Sequence, residues 1–207
     1  MGSTGGGMCE DDRITGVALR LFAEVGYDNV DTRMIADAAG VDARTVAAHG
    51  GKSGLYKRIF ENFYRRQSTM LDEVEHKYAD DQEGQRRLLE EILDFYLDHP
   101  YEMAVWQHRG MRDAADLDGL DAYYWNMVFL RHREVVGRAV ASRPDFQMLF
   151  NLLAGGLRGF LFGGIITGEG ELLGPDSREG RRLFREQMHR LLVLVVGAGL
   201  VDEAART

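Results

Sequence analysis

Cysteine is nearly absent from this chain: Cys9 is the single one in 207 residues. No internal disulfide can form, and Gly, Ser and Thr stand near the N-terminus where a secretory leader would need an apolar run, so the expected setting is cytoplasmic. Proline is scarce as well, with Pro100, Pro144 and Pro175 the three present, which leaves long stretches free to be helical. No Val/Ile/Thr-rich alternating segment lies between Asn-Gly or Asp-Gly turns, so a sheet protein is not expected. The longest apolar run, Leu191 to Val201, falls short of the roughly 20 residues of a membrane span. Excess positive charge is missing too: 33 acidic residues face 25 basic ones, a formal net charge of -8. Because Lys and Arg supply most affinity for phosphate, this balance argues against indiscriminate nucleic-acid binding and leaves room only for a local basic face. There is no Gly-rich phosphate loop, no Gly-x-Ser-x-Gly elbow and no Cys/His cluster. Glu73 and His76 form a lone Glu-x-x-His pair, whereas a carboxylate metal site in a bundle needs two such pairs and two further Glu. Neither enzyme chemistry, a cofactor nor a metal is expected.

What the chain does have is 45% hydrophobic residues, enough for one core or two small ones, arranged at helical spacing. Residues 1–10 hold Gly2, Gly5, Gly6 and Gly7 and are expected to be a flexible arm. Ile14, Val17, Ala18, Leu21, Phe22 and Val25 then mark a first helix, with Asp11 and Asp12 at its positive end and Gly26 as C-cap. Asp31 is placed to cap a second helix carrying Met34, Ile35, Ala38 and Ala39 and ended by Gly40; Asp42 is placed to cap a third, reaching about Ala48. Two short helices joined by a Gly-containing turn describe a helix-turn-helix, or equally an ordinary helical hairpin. Ser53 is expected to cap a fourth helix running to about Tyr78. Further helical patterns cover 82–97, 100–112, 124–141, 144–167 and 176–200, with loops at 110–121 and 168–174. The expected fold class is all-α: an N-terminal three-helix domain over residues 11–57, followed by a C-terminal helical bundle over 58–207.

The segment from Ile14 to Leu55 resembles the N-terminal domain of the tetracycline-repressor (TetR) family. The matching residues are Leu21-Phe22-Ala23-Glu24-Val25-Gly26-Tyr27, Ile35-Ala36-Asp37-Ala38-Ala39-Gly40-Val41, Thr45-Val46, His49, Lys52 and Leu55. The resemblance implies a homodimeric regulator whose N-terminal domain binds double-stranded operator DNA and whose C-terminal domain senses a small-molecule effector. Members usually carry a Tyr two residues after the recognition-helix Thr and an aromatic residue after the His; here Ala47 and Gly50 stand at those places, which removes a phosphate contact and some packing. A helical sensor or interaction protein with weakened or lost DNA binding is therefore the alternative.

Between Glu10 and Lys57 eight acidic side chains outnumber six basic ones, so a basic face must be local. The residues expected at DNA are Thr32, Arg33, Ala43, Arg44, Thr45, Ala47, Ala48, His49 and Lys52. Val41 and Val46 are expected to face the core, leaving Arg44 as the one long donor of the third helix. At a groove edge it would favour guanine, and at phosphate it would carry no sequence information; Ala47 and Ala48 suit a thymine methyl. His49 reads as a phosphate ligand by the resemblance and as a structural histidine otherwise.

Aromatic and adaptable side chains concentrate in the next segments. Phe95, Met103, Trp106, His108, Tyr123, Trp125 and Asn126 are the candidate ligand-binding residues, with plain core packing as the competing reading. On the eighth helix Gly155, Gly159 and Gly163 recur every fourth residue beside Leu152 and Phe160. Interior glycines cost about 1 kcal/mol each relative to Ala, so a close helix contact is expected to compensate them. With Leu191, Leu192 and Val195 of the ninth helix they form the expected dimer interface, intramolecular packing being the alternative.

Overall fold

The computed structural model describes residues 10–78, 81–136 and 146–204. Its helices are α1 (Glu10–Val25), α2 (Thr32–Ala39), α3 (Ala43–Ala48), α4 (Gly51–Val74), α5 (Gln82–Leu97), α6 (Pro100–Gly110), α7 (Leu120–Val135), α8 (Phe146–Gly163) and α9 (Arg178–Ala204). Between α8 and α9 lies a short antiparallel hairpin, β1 (Ile165–Ile166) and β2 (Leu172–Leu173), in which Ile165 pairs with Leu173 and Ile166 with Leu172. Among the described residues the fold is all-α apart from this hairpin.

Most helix starts follow from local chemistry. Asp31 accepts a hydrogen bond from the Met34 N–H at 2.8 Å and Asp42 from the Arg44 N–H at 2.7 Å, so each carboxylate satisfies a donor that the first helical turn leaves free. Asp81 does the same for α5 through the Gly84 N–H at 2.7 Å. Gly40 closes α2 in the left-handed conformation, with φ 64°.

Three expectations about the elements need correction. Ser53 does not cap α4; it lies inside the first turn of a helix that begins at Gly51. The reason is backbone freedom. Gly50 and Gly51 take φ of 94° and 64°, a region open to glycine at little cost, and so reverse the chain within two residues of α3. The segment 165–167, expected as the end of a helix, forms β1 and the start of a turn. α4 ends at Val74, short of the expected Tyr78. The flexible arm falls largely on residues 1–9, which lie outside the described residues, as do Pro144 and the expected helix ends near 141 and 144.

The chain forms two compact units that alternate in sequence. The first contains the described residues through Arg66 together with Tyr101–Trp125, and the second contains Gln67–Pro100 and the described residues from Asn126 onward. The sequence reading placed one boundary near residue 57.

In the first unit the core is built on Ile14, Ala18 and Phe22 of α1, Ile35 of α2, Val46 of α3, and Leu55 and Tyr56 of α4, none more than 1% exposed. The Tyr56 ring meets Tyr27 at 4.7 Å and Phe22 at 5.3 Å, tilted or edge-on as aromatic quadrupoles favour. In the second unit Leu71, Val74, Ile92 and Val135 pack together, with Met70, Leu88 and Tyr96 around them. There α8 meets α9 through the stacked rings of Phe160 and Phe184, with centroids 4.4 Å apart. α9 is tied to α5 by Arg185 to Asp94 at 2.6 Å and Arg181 to Asp98 at 2.6 Å.

Candidate nucleic-acid interface

The two caps and the Gly40 turn set α2 and α3 as a helix-turn-helix. Burial of Val46, with Val41 packed beside it, fixes which face of α3 turns outward. That face presents Ala43, Arg44, Ala47 and Ala48, all exposed, with Thr45 half-buried. It is a smooth surface of methyl groups with one guanidinium. On α2, Thr32 is half-buried and Arg33 exposed; Arg33 Nε lies 3.9 Å from the Asp37 carboxylate one turn on, a loose solvent-screened pair.

The other two candidates are engaged within the unit. His49 Nδ1 lies 2.7 Å from Asp11 of α1, and its Nε2 is 3.7 Å from Glu10. Arg58 of α4 bonds the same Asp11 carboxylate and reaches the His49 carbonyl at 3.3 Å. His49 thus joins the end of α3 to the start of α1, with carboxylates at both ring nitrogens. Lys52 is half-buried, its ammonium 3.9 Å above the Tyr27 ring in a cation–π contact. Of the nine expected DNA contacts, the long cationic side chains that point outward are Arg33 and Arg44.

The candidate ligand residues divide between the units. Met103, Trp106, His108, Tyr123 and Trp125 belong to the first, Phe95 and Asn126 to the second. Trp106 packs edge-on against Phe60 at 4.9 Å and lies 6.0 Å from Trp125. Met103 is buried, whereas Tyr123 and Asn126 are exposed. Phe95 meets Tyr96 edge-on and His99 at a tilt. His108 Nε2 bonds the Ala23 carbonyl at 3.0 Å, satisfying one of the acceptors that α1 leaves open at its C-terminal end.

A second polar link at that end of α1 went unread in the sequence. Asp113, in the loop after α6, accepts from the main-chain N–H groups of Tyr27 and Asp28. Buried Arg109 holds the loop by donating to the carbonyls of Asp113, Ala114 and Leu117. The partners lie 85 or 86 residues apart in sequence, so no local pattern announces them.

Of the expected dimer residues, Phe160 is buried against α9, Leu152 is exposed, and Leu191 and Leu192 are half-buried. Among the described residues, a methyl group added at Gly155, Gly159 or Gly163 would meet nothing within 4 Å. The glycine on α8 that does sit close to α9 is Gly156, where an added methyl would lie 3.2 Å from Met188 Sδ. The side chain of Val195 lies outside those described.

No described helix is long and apolar enough to cross a membrane. Among the described residues no group of three or more His, Cys, Asp or Glu is placed to hold a metal ion.

Residues 14–59 match the family described as bacterial regulatory proteins, tetR family. No protein with a curated description matches the sequence significantly. Three solved structures share the fold. A transcriptional regulator described as TerR/AcrR family from Aquifex aeolicus aligns with TM-score 0.65 at 18% identity, over 90% of this chain and 99% of that one. The TetR-family regulator PfmR from Thermus thermophilus gives 0.59 at 18% identity, over 87% and 93%. A TetR-like regulator from a Rhodococcus species gives 0.58 at 16% identity, over 89% and 96%. Residues 14–59 are therefore similar to the N-terminal domain of the tetR family of bacterial regulatory proteins, and the chain shares its all-helical fold with solved regulators described as members of that family.

Proposed function

We propose that two copies of this chain bind operator DNA as a homodimer and repress transcription until a small apolar or aromatic molecule, bound in the C-terminal helices, releases them. The observation that carries the reading is the outward face of α3, where Arg44 and the methyls of Ala43, Ala47 and Ala48 stand free on a helix fixed by the Asp42 cap and buried Val46. Arg33 on α2 adds positive charge of the kind that phosphate contacts require. Support for the dimer comes from α8: beside Gly155, Gly159 and Gly163 no described residue lies within 4 Å of an added methyl group, so no described neighbour offsets the cost of these glycines. A second copy laid on this face would supply the close contact.

For release, the effector must bind the DNA-incompetent arrangement more tightly than the competent one, since equal binding shifts nothing. α4 is the natural lever because one continuous helix belongs to the first unit through Arg66 and to the second from Gln67.

A second reading has its own support. Ala47 and Gly50 replace side chains that the family resemblance leads one to expect, and both His49 and Lys52 already have partners within the chain. A helical sensor with weak or no DNA binding fits those facts. The deciding experiment is a mobility shift with the promoter region beside the chain's own gene over a range of salt. Retarded fragments whose affinity falls steeply with salt support the regulator; no shift at low salt favours the sensor.

A further inference from the structure

Gln67 is the first α4 residue of the second unit and is 1% exposed. Among the described residues, neither its Oε1 nor its Nε2 has a hydrogen-bond partner. A primary carboxamide carries two donor hydrogens and an acceptor oxygen. Buried atoms of this kind are almost always paired, and an unpaired one calls for an explanation.

The surroundings narrow that explanation. Gln67 precedes Leu71 by four residues and Val74 by seven, so the three share one face of α4. Leu71 and Val74 are buried with Ile92 of α5 and Val135 of α7. The carboxamide therefore shares a helix face with Leu71 and Val74, which pack into the apolar core of this unit. Gln67 and His132 are the buried polar residues of this unit among those described. His132 is already engaged, with Nδ1 donating to the Val128 carbonyl at 2.8 Å and Nε2 lying 3.3 Å from the Tyr96 hydroxyl. The charged Arg131 beside it is held by Asp72, Glu75 and Glu134.

We propose that the Gln67 carboxamide is the polar anchor of an effector site in this unit. It selects a neutral, largely apolar molecule bearing an adjacent donor and acceptor, such as a lactam, imide or cyclic urea. Such an edge pairs with both amide atoms at once. An ionised ligand would be desolvated with no buried opposite charge to meet it, and a plain hydrocarbon would leave the amide unmet. The inference rests on the ligand-responsive reading above and adds the chemical class of the ligand.

The test uses the full chain without DNA and three probes of similar shape: 2-quinolinone, its N-methyl derivative, which lacks the donor, and naphthalene, which lacks both groups. Binding is followed by calorimetry. The expected result is that 2-quinolinone binds at least about tenfold more tightly than either comparator. Gln67→Leu should reduce that preference to less than about twofold while raising the thermal midpoint of the ligand-free protein, because the unmet amide is gone. Gln67→Met serves as the second variant should Leu disturb folding. Equal affinity for the three probes, no binding of 2-quinolinone at about 1 mM, or a preference that survives in the folded variants would each overturn the anchor. Promoter binding without lactam preference would remove this proposal and leave the regulator reading intact. Lactam preference without release of bound DNA would keep the anchor and overturn the release step.

Discussion

Asp113 accepts two main-chain hydrogen bonds from the turn that follows α1, one from the Tyr27 N–H at 2.6 Å and one from the Asp28 N–H at 2.9 Å. The Asp28 carboxylate returns the bond, accepting from the Ala114 N–H at 3.2 Å. Arg112 and Ala114, on either side, take positive φ of 71° and 56°, a conformation that costs non-glycine residues roughly 1–3 kcal/mol each and persists only where surrounding contacts enforce it. Asp113→Ala should lower the stability of the protein by about 1–3 kcal/mol in denaturant titration, since two N–H groups lose their acceptor. Promoter affinity should fall with it, because the turn between α1 and α2 loses its brace. Unchanged stability would show the bonds to be inconsequential.

The short α3 depends on its cap. Asp42→Ala should cost about 1 kcal/mol, whereas Asp42→Asn should cost little, since Asn also caps well. Denaturant midpoints for the two variants check this, and an equal loss in both would point to charge rather than to the cap.

Arg44 and Lys52 should behave differently at DNA. Arg44→Ala should weaken specific binding by roughly 1–3 kcal/mol and relax preference at one base position, as expected of a guanidinium at a groove edge. Lys52, held over Tyr27, acts at DNA only as a nearby positive charge, so Lys52→Ala should weaken all sequences alike by a small amount and flatten the salt slope slightly. Its cation–π contact with Tyr27 adds a stability loss of about 0.5–1 kcal/mol. Binding titrations with promoter and scrambled fragments at several salt concentrations separate the two.

His132 makes the fold sensitive to acid. Burial pushes its pKa down from 6.5 to about 4, Arg131 pushes the same way, and the bond to Val128 opposes them. The unfolded chain therefore takes up the proton first as pH falls. The stability contribution is fully present above pH 6.5, declines between 6.5 and about 4, and amounts to roughly 3 kcal/mol in all. Stability measured from about pH 7 to about pH 4.5 should fall less steeply in His132→Phe than in the parent. Parallel slopes would show that His132 is not the group responsible.

Gly159→Leu tests the proposed dimer face. With no described residue within 4 Å of the added methyl position, the isolated fold should tolerate the larger side chain, while a partner helix approaching there would be overpacked. Sedimentation should show a shift towards monomer with helical content retained; a dimer as tight as the parent would exclude this face.

What the sequence revealed was the chemistry that acts over one helical turn. Asp31, Gly40 and Asp42 were readable because a cap needs its partner two or three residues away, and Val46 because helical spacing makes it the inward residue of α3. The start of α4 was misread because Ser53 resembles a cap, while the turn had already been made by Gly50 and Gly51. The hairpin at Ile165–Leu173 escaped because two-residue strands leave no alternation to detect. Asp113, His108 and Gln67 mark the deeper limit. The first two act on residues about 85 positions away, and the third is notable only because folding buries its amide with no hydrogen-bond partner among the described residues. The aromatic residues grouped as one candidate pocket belong to two units, a division that periodicity does not encode.

If this chain binds an operator as proposed, the alanines on α3 limit how many of its letters can be spelled out by direct contact. One bidentate guanidinium discriminates a base by about 1–3 kcal/mol, and a methyl resting on thymine is a weaker filter. A repressor working as proposed would resolve few positions in each half-site by direct contact, and the rest of its selectivity would come from groove shape and from the distance between half-sites. Such an operator tolerates many single-base changes, yet one base pair inserted at its centre rotates one half-site away from the second α3.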